Sequence, residues 1–232
     1  MKKFALLAIA GSLLASTATV ASAAAIRFTS GGLTCLIEDN AAAGVGAGCA
    51  NLVGDGSAEL GAVSARGNIN GWRVLAEGLS KPVVGNASSP AADLVFSALS
   101  SSAGMLTIEF TDTGYLSPSL RTLLSEIGGT AQVPLTSYQT FADLGNRAFA
   151  RTIDLSTFNL TPTAFGGAGR IGSANFNPGL SPYSVTQVLT FTSSAGGQLT
   201  TGDASVGVPA PATLLLLGSA LFGLGLTRRN RK

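Results

Sequence analysis

Met105-Leu106-Thr107-Ile108-Glu109-Phe110-Thr111 and Val185-Thr186-Gln187-Val188-Leu189-Thr190-Phe191-Thr192 are the stretches whose reading decides the fold. Both are dense in β-branched and aromatic residues, and both are bounded by Gly, Ser or Pro. That composition suits a pleated, half-buried strand. Working outward, similar runs recur at 26–29, 33–37, 58–64, 72–76, 94–99, 137–142, 148–155 and 198–206. Turn-forming residues separate them. Many short strands with regular turn signals predict an all-β ectodomain, a β-sandwich or jelly roll. One stretch reads differently. Ser117-Pro118 followed by Leu120, Leu123, Leu124 and Ile127, then Gly128-Gly129, fits a short amphipathic helix with a Ser cap and a Gly stop. A strand pair is the alternative there. Residues 159–182 are punctuated by Pro, Gly and Asn and read as loop.

The two ends carry a different chemistry. Met1-Lys2-Lys3 precedes an apolar run from Phe4 to Leu14 and a small-residue stretch ending in Ala21-Ser22-Ala23. A basic start, an apolar middle and a small-x-small site make a secretory signal peptide, with cleavage expected after Ala23. At the other end, Val208-Pro209-Ala210-Pro211 leads into an apolar stretch from Ala212 to Leu226. Arg228, Arg229, Arg231 and Lys232 follow it. The apolar stretch is shorter than the ~20 residues of a typical membrane-spanning helix. The cation cluster is what a stop at the cytoplasmic face requires. The domain plan is a signal peptide at 1–23, a β-rich domain at 24–200, a linker at 201–207 and a C-terminal transmembrane segment at 208–232.

This tail resembles the PEP-CTERM sorting signal: a Val-Pro-x-Pro-Ala-Thr entry, a Leu/Gly-rich helix ending in Gly223-Leu224-Gly225-Leu226, and a terminal Arg cluster. The resemblance implies an exosortase, an integral-membrane cysteine transpeptidase, as partner at the inner membrane, with processing near Pro209 and Pro211. It also implies a Gram-negative bacterium that makes exopolysaccharide. The family's Glu is Ala210 here, which puts efficient processing in question; a plain membrane anchor is the alternative. The destination implied is the cell surface or the extracellular matrix of a biofilm.

Charge sharpens the picture. Of 14 basic residues, six lie in the two end segments, leaving eight against twelve acidic residues in the domain, a net charge of −4. With no basic run, the domain has no electrostatic footprint for nucleic acid. Cys35 and Cys49, in an exported chain, are expected to form a disulfide. The closed loop would contribute ~3 kcal/mol by chain entropy.

Catalytic constellations are mostly excluded. The chain has no histidine, which removes Ser-His-Asp and Cys-His nucleophiles and the commonest zinc ligand. No metal site and no cofactor are expected. Lys81, the only lysine of the domain, sits in a turn-like Ser80-Lys81-Pro82 with no sign of burial. Gly167-Ala168-Gly169-Arg170-Ile171-Gly172 matches Gly-x-Gly-x-x-Gly but lacks the flanking strand and helix of a dinucleotide site. The twelve carboxylates form no recognisable pair for glycoside hydrolysis. Trp72 is the one candidate glycan contact, with a core role favoured. The reading is a non-enzymatic surface protein. A polysaccharide-binding, lectin-like module is the alternative, and a glycan-active enzyme comes third.

Overall fold

The computed structural model describes residues 24–117, 122–132, 135–160, 164–171 and 176–208. Thirteen strands run in chain order: β1 Ala25–Ser30, β2 Leu33–Glu38, β3 Leu52–Val53, β4 Ala62–Ile69, β5 Trp72–Leu79, β6 Ala91–Ser100 and β7 Gly104–Tyr115, then β8 Leu123–Ala131, β9 Leu135–Asp143, β10 Ile153–Asn159, β11 Ala164–Ile171, β12 Tyr183–Ser193 and β13 Leu199–Gly207. They form a six-stranded sheet, β10-β9-β12-β7-β1-β2, and a seven-stranded sheet, β11-β8-β13-β6-β5-β4-β3. Every pairing between them is antiparallel. The expected β-sandwich is the fold.

The alternation of side chains explains why the sheets face each other. In β5, Trp72, Val74 and Ala76 are buried while Arg73, Leu75 and Glu77 are exposed. In β6, Ala92, Leu94, Phe96 and Ala98 point in, and the residues between them point out. Period two places one face of each strand in the core. Phe191 of β12 meets Phe96 edge-on at 5.6 Å and Trp72 at 6.3 Å, so the aromatic centre spans both sheets. A second cluster gathers Tyr115, Leu155, Phe176, Tyr183 and Val206. Asn70 and Gly71, both at positive φ, turn β4 into β5; Asn-Gly is the residue pair that a tight hairpin favours. Gly78 is needed for a different reason: a Cβ there would lie 2.5 Å from the Phe110 ring that packs across from the other sheet.

Several expectations are corrected. Of the helix expected over 117–129, residues 118–121 lie outside the described residues, and from Leu123 onward the chain is a strand instead. Leu123, Ser125 and Ile127 are buried while Leu124 and Glu126 face outward, and Gly128-Gly129 pairs with Gly166 and Phe165 rather than ending a helix. Leucines at 123, 124 and 127 fit either period, and partners on both sides of β8 decide for the strand. The loop expected over 159–182 contains β11. Residues 167–171 of the Gly-x-Gly-x-x-Gly run lie on this strand, paired residue by residue with β8, and Gly172 lies outside the described residues. The linker placed at 201–207 is the body of β13, which sits between β6 and β8. The strand expected at 148–155 begins at Ile153, and the one at 58–64 begins at Ala62.

Cys35 and Cys49 are joined by a disulfide across 14 positions. It holds the loop after β2 against the core, where a Cβ at Gly44 would lie 2.7 Å from both sulfurs. Replacing both cysteines with serine is expected to lower the unfolding free energy by ~3 kcal/mol, from the loop-closure entropy returned to the unfolded chain. Urea denaturation of the oxidised protein and of the double variant measures the difference.

Candidate functional site: the open face of the seven-stranded sheet

The outward sides of the two sheets differ. Over the six-stranded sheet, the segment between β9 and β10 folds back on the strands. The Phe149 amide donates to Thr111 Oγ1 at 3.3 Å, and Arg151 Nη2 donates to Glu109 Oε1 at 2.6 Å. Asn146 Oδ1 accepts from the Gly114 amide at 2.7 Å. Glu109 is buried beneath Arg151 and beneath Arg27, whose guanidinium donates to both carboxylate oxygens. Arg27 in turn stacks 4.2 Å from the Phe149 ring centroid. At the same end, Arg147 and the Thr152 hydroxyl hydrogen-bond Asp143 and hold its carboxyl well below the usual carboxylate range.

The outward side of the seven-stranded sheet is open. The register aligns Asn68 with Arg73 and Arg73 with Leu99, and in the next row Arg66 with Leu75 and Leu75 with Ser97. These residues line a groove of about 840 Å³. Leu75, Val95 and Leu199 are 40–45% exposed, so apolar surface runs between the two arginines and the rest of the face.

Two rows further along, the same register brings carboxylates together. Glu77 pairs with Val95 and Val95 with Asp203; Asp93 pairs with Ser205 and Ser205 with Glu126. Burial first, and then the Asp203 carboxylate beside it, push the Asp93 carboxyl up to about 6. The face is therefore bipolar, cationic at the groove and anionic at the other end.

The sign of the linked stability follows from that shift. The folded-state value lies above the ordinary Asp value, so the folded protein holds the proton more tightly than the unfolded chain. Stability is accordingly lost as pH rises from about 4 through about 6. Asp93→Asn removes this loss. The variant is expected to exceed the wild type by roughly 1 kcal/mol at pH 7.5, after discounting for solvent screening, and to lose that advantage near pH 4. Thermal denaturation at the two pH values measures it.

The interior also holds an ion pair. Lys81 is 7% exposed and Asp112 fully buried, with Lys81 Nζ donating to Asp112 Oδ2 at 2.7 Å. Nζ also donates to the Thr113 carbonyl and lies 4.3 Å from the Tyr115 ring centroid. Lys81 is thus not the solvated turn residue that the sequence suggests. Ser80 Oγ donates instead to the Gly61 carbonyl at 3.3 Å. Trp72 is 1% exposed in the core and presents no face to a sugar; the glycan-contact reading of this residue is set aside. Among the described residues, no three of the His, Cys, Asp and Glu side chains are grouped to hold a metal ion. The groove residues Arg66, Asn68 and Arg73 were not singled out in the sequence, because only strand register brings them side by side.

The terminal signals lie almost wholly outside the described residues: Ala21 and Ala23 in front, and Pro209, Ala210, Pro211, Arg228, Arg229, Arg231 and Lys232 behind. The apolar stretch 212–226 also lies there. Among the described residues, no helix is long and apolar enough to cross a membrane. What the structure does place is the boundary. β13 ends at Gly207, and the Val208 amide donates to the Pro90 carbonyl at 3.2 Å as the chain leaves the sheet. The sequence model of the PEP-CTERM protein-sorting motif matches residues 207–232.

The chain carries a PEP-CTERM sorting motif.

The PEP-CTERM motif therefore begins at the last residue of β13, and it marks an exported protein sorted through the membrane. No curated protein matches the chain. Among solved structures, it is similar to the enzymatically active domain of tailspike protein 4 of bacteriophage CBA120, at 15% identity and a TM-score of 0.32, over 61% of this chain and 20% of that one. The chain thus spans about a fifth of the tailspike's length. It is also similar to a carbohydrate-binding module solved with beta-1,4-galactotriose, at 9% identity and TM-score 0.32, over 61% of this chain and 90% of the module. A third likeness is to carbohydrate-binding modules of the β-sandwich superfamily, at 11% identity and TM-score 0.33, over 77% and 83% of the two chains. These likenesses are slight, and the sandwich rests on the chain's own strand pairing.

Proposed function

We propose that the PEP-CTERM protein is a non-enzymatic component of the cell surface or extracellular matrix, released from its tail by an exosortase and associated with exopolysaccharide. The observation that carries this reading is the coincidence of the end of β13 with the start of the sorting motif. Processing anywhere beyond Val208 would free the sandwich without opening a strand. The absence of histidine from the chain excludes Ser-His-Asp and Cys-His nucleophiles. Truncation after Val208 tests it in the producing cells. Protease shaving of intact cells should degrade the full-length protein's sandwich at the surface, whereas the truncated protein should leave the surface fraction. Equal surface retention of both would contradict sorting through the tail.

A second reading is favoured by the groove. Arg66 and Arg73 beside Asn68 and Ser97 suit an acidic polysaccharide, with guanidinium groups for carboxylate or sulfate and exposed Leu75 for a sugar face. Retention on a uronate-containing polymer, lost in Arg66→Ala/Arg73→Ala and absent on a neutral polymer, supports binding. No retention on any matrix polymer removes this reading.

A further inference from the structure

The only lysine between residues 24 and 208 is inside the protein, and its amine touches a carboxylate from the opposite sheet. Lys81 follows β5 in the seven-stranded sheet, whereas Asp112 lies on β7 in the six-stranded sheet. Lysine is rarely buried, and a buried ion pair is weak evidence for stability, because desolvation offsets the attraction. The surroundings serve a condensation better than an ion pair. Asp112 is wholly excluded from water, and the Tyr115 ring covers Nζ. Both Asp112 oxygens are held, Oδ2 by Nζ and Oδ1 by the Thr113 amide at 2.7 Å.

We propose that Lys81 and Asp112 form an intramolecular amide, a covalent staple between the two sheets. Proton transfer from Nζ to Oδ2 along their hydrogen bond gives an amine and a carboxylic acid, which avoids burying two charges. The Nζ lone pair then adds to Asp112 Cγ, forming the N–C bond as the Cγ–Oδ1 π pair moves onto Oδ1. The Thr113 N–H points at Oδ1, where negative charge develops, as an oxyanion donor must. Collapse of this intermediate expels Oδ2 with its own proton and one from Nζ, as water. An ammonium and a carboxylate thus become one amide and one water, with no oxidant, reductant or co-reactant. The remaining N–H keeps the Thr113 carbonyl as its acceptor, the bond Nζ already makes. Holding the two groups in contact replaces the activation that an intermolecular amide would need.

The test uses the full protein purified from the cells that make it, reduced, denatured and cut with a glutamate-specific protease. Cleavage after Glu77, Glu109 and Glu126 separates residues 78–109 from residues 110–126. The proposal expects the two peptides joined and lighter than their sum by one water, with Lys81 unreactive toward acetylation after denaturation. Lys81→Arg should give two separate peptides. Asp112→Asn, whose Oδ1 can still accept from the Thr113 amide and whose Nδ2 can leave as ammonia in place of water, should give the same joined product as the wild type. Two separate wild-type peptides of full mass, with an acetylated Lys81, would overturn the staple and leave an ion pair.

Discussion

Trp72→Ala lowers the unfolding free energy by about 3–5 kcal/mol and leaves retention on any polysaccharide unchanged. The indole is 1% exposed, packs against Phe191 from the opposite sheet, and lies at the start of β5 where Ile69 pairs with it across the hairpin. Truncating so large a buried side chain removes its transfer free energy and leaves a cavity that rigid neighbours cannot fill, the regime in which aromatic deletions cost most. Urea denaturation supplies the number, and the midpoint should fall with the slope unchanged. A stable variant with impaired polysaccharide retention would return Trp72 to the surface and contradict the packing described.

Asp112→Ala is expected to cost a similar ~3–5 kcal/mol, because it leaves the Lys81 amine inside the sandwich without its carboxylate. A second variant separates the two ways in which the pair can act. Lys81→Met combined with Asp112→Leu removes both polar groups and fills the space with apolar atoms. For a simple ion pair, this double substitution should restore wild-type stability or exceed it. For the covalent staple, which closes a loop of 31 positions in the unfolded chain, the double variant should remain below the wild type by about 3–4 kcal/mol.

The central strands were legible because β-branched and aromatic residues gather between turn residues, as in Met105–Thr111 and Val185–Thr192. The C-terminal sorting motif was legible because it is local: a proline-bearing entry, an apolar run and a terminal cation cluster in fixed order need no tertiary partner. β8 was not, since leucines at 123, 124 and 127 satisfy period two and period 3.6 alike, and only pairing to β11 and β13 selects the strand. β11 was hidden by glycine, which is poor in strands and common in loops. It survives as an edge strand because β8 supplies its ladder.

The sites were less legible than the fold. Arg66 and Arg73 lie seven positions apart in sequence and become neighbours only through the β4–β5 register. Asp93 and Asp203 are 110 positions apart, and the same holds for them through β6 and β13. Lys81 beside a proline reads as a surface turn. Its burial depends on where the chain after β5 meets β7 and on the Tyr115 ring that covers it, neither of which leaves a periodic trace.

The measurement that tests the account most directly is the intact mass of the protein recovered from the cell surface or the medium. The account predicts a chain that begins at Ala24 and ends beyond Val208 without Lys232, the sandwich whole and both terminal signals removed. A mature N-terminus with Lys232 still attached would make the tail a standing anchor and contradict exosortase processing.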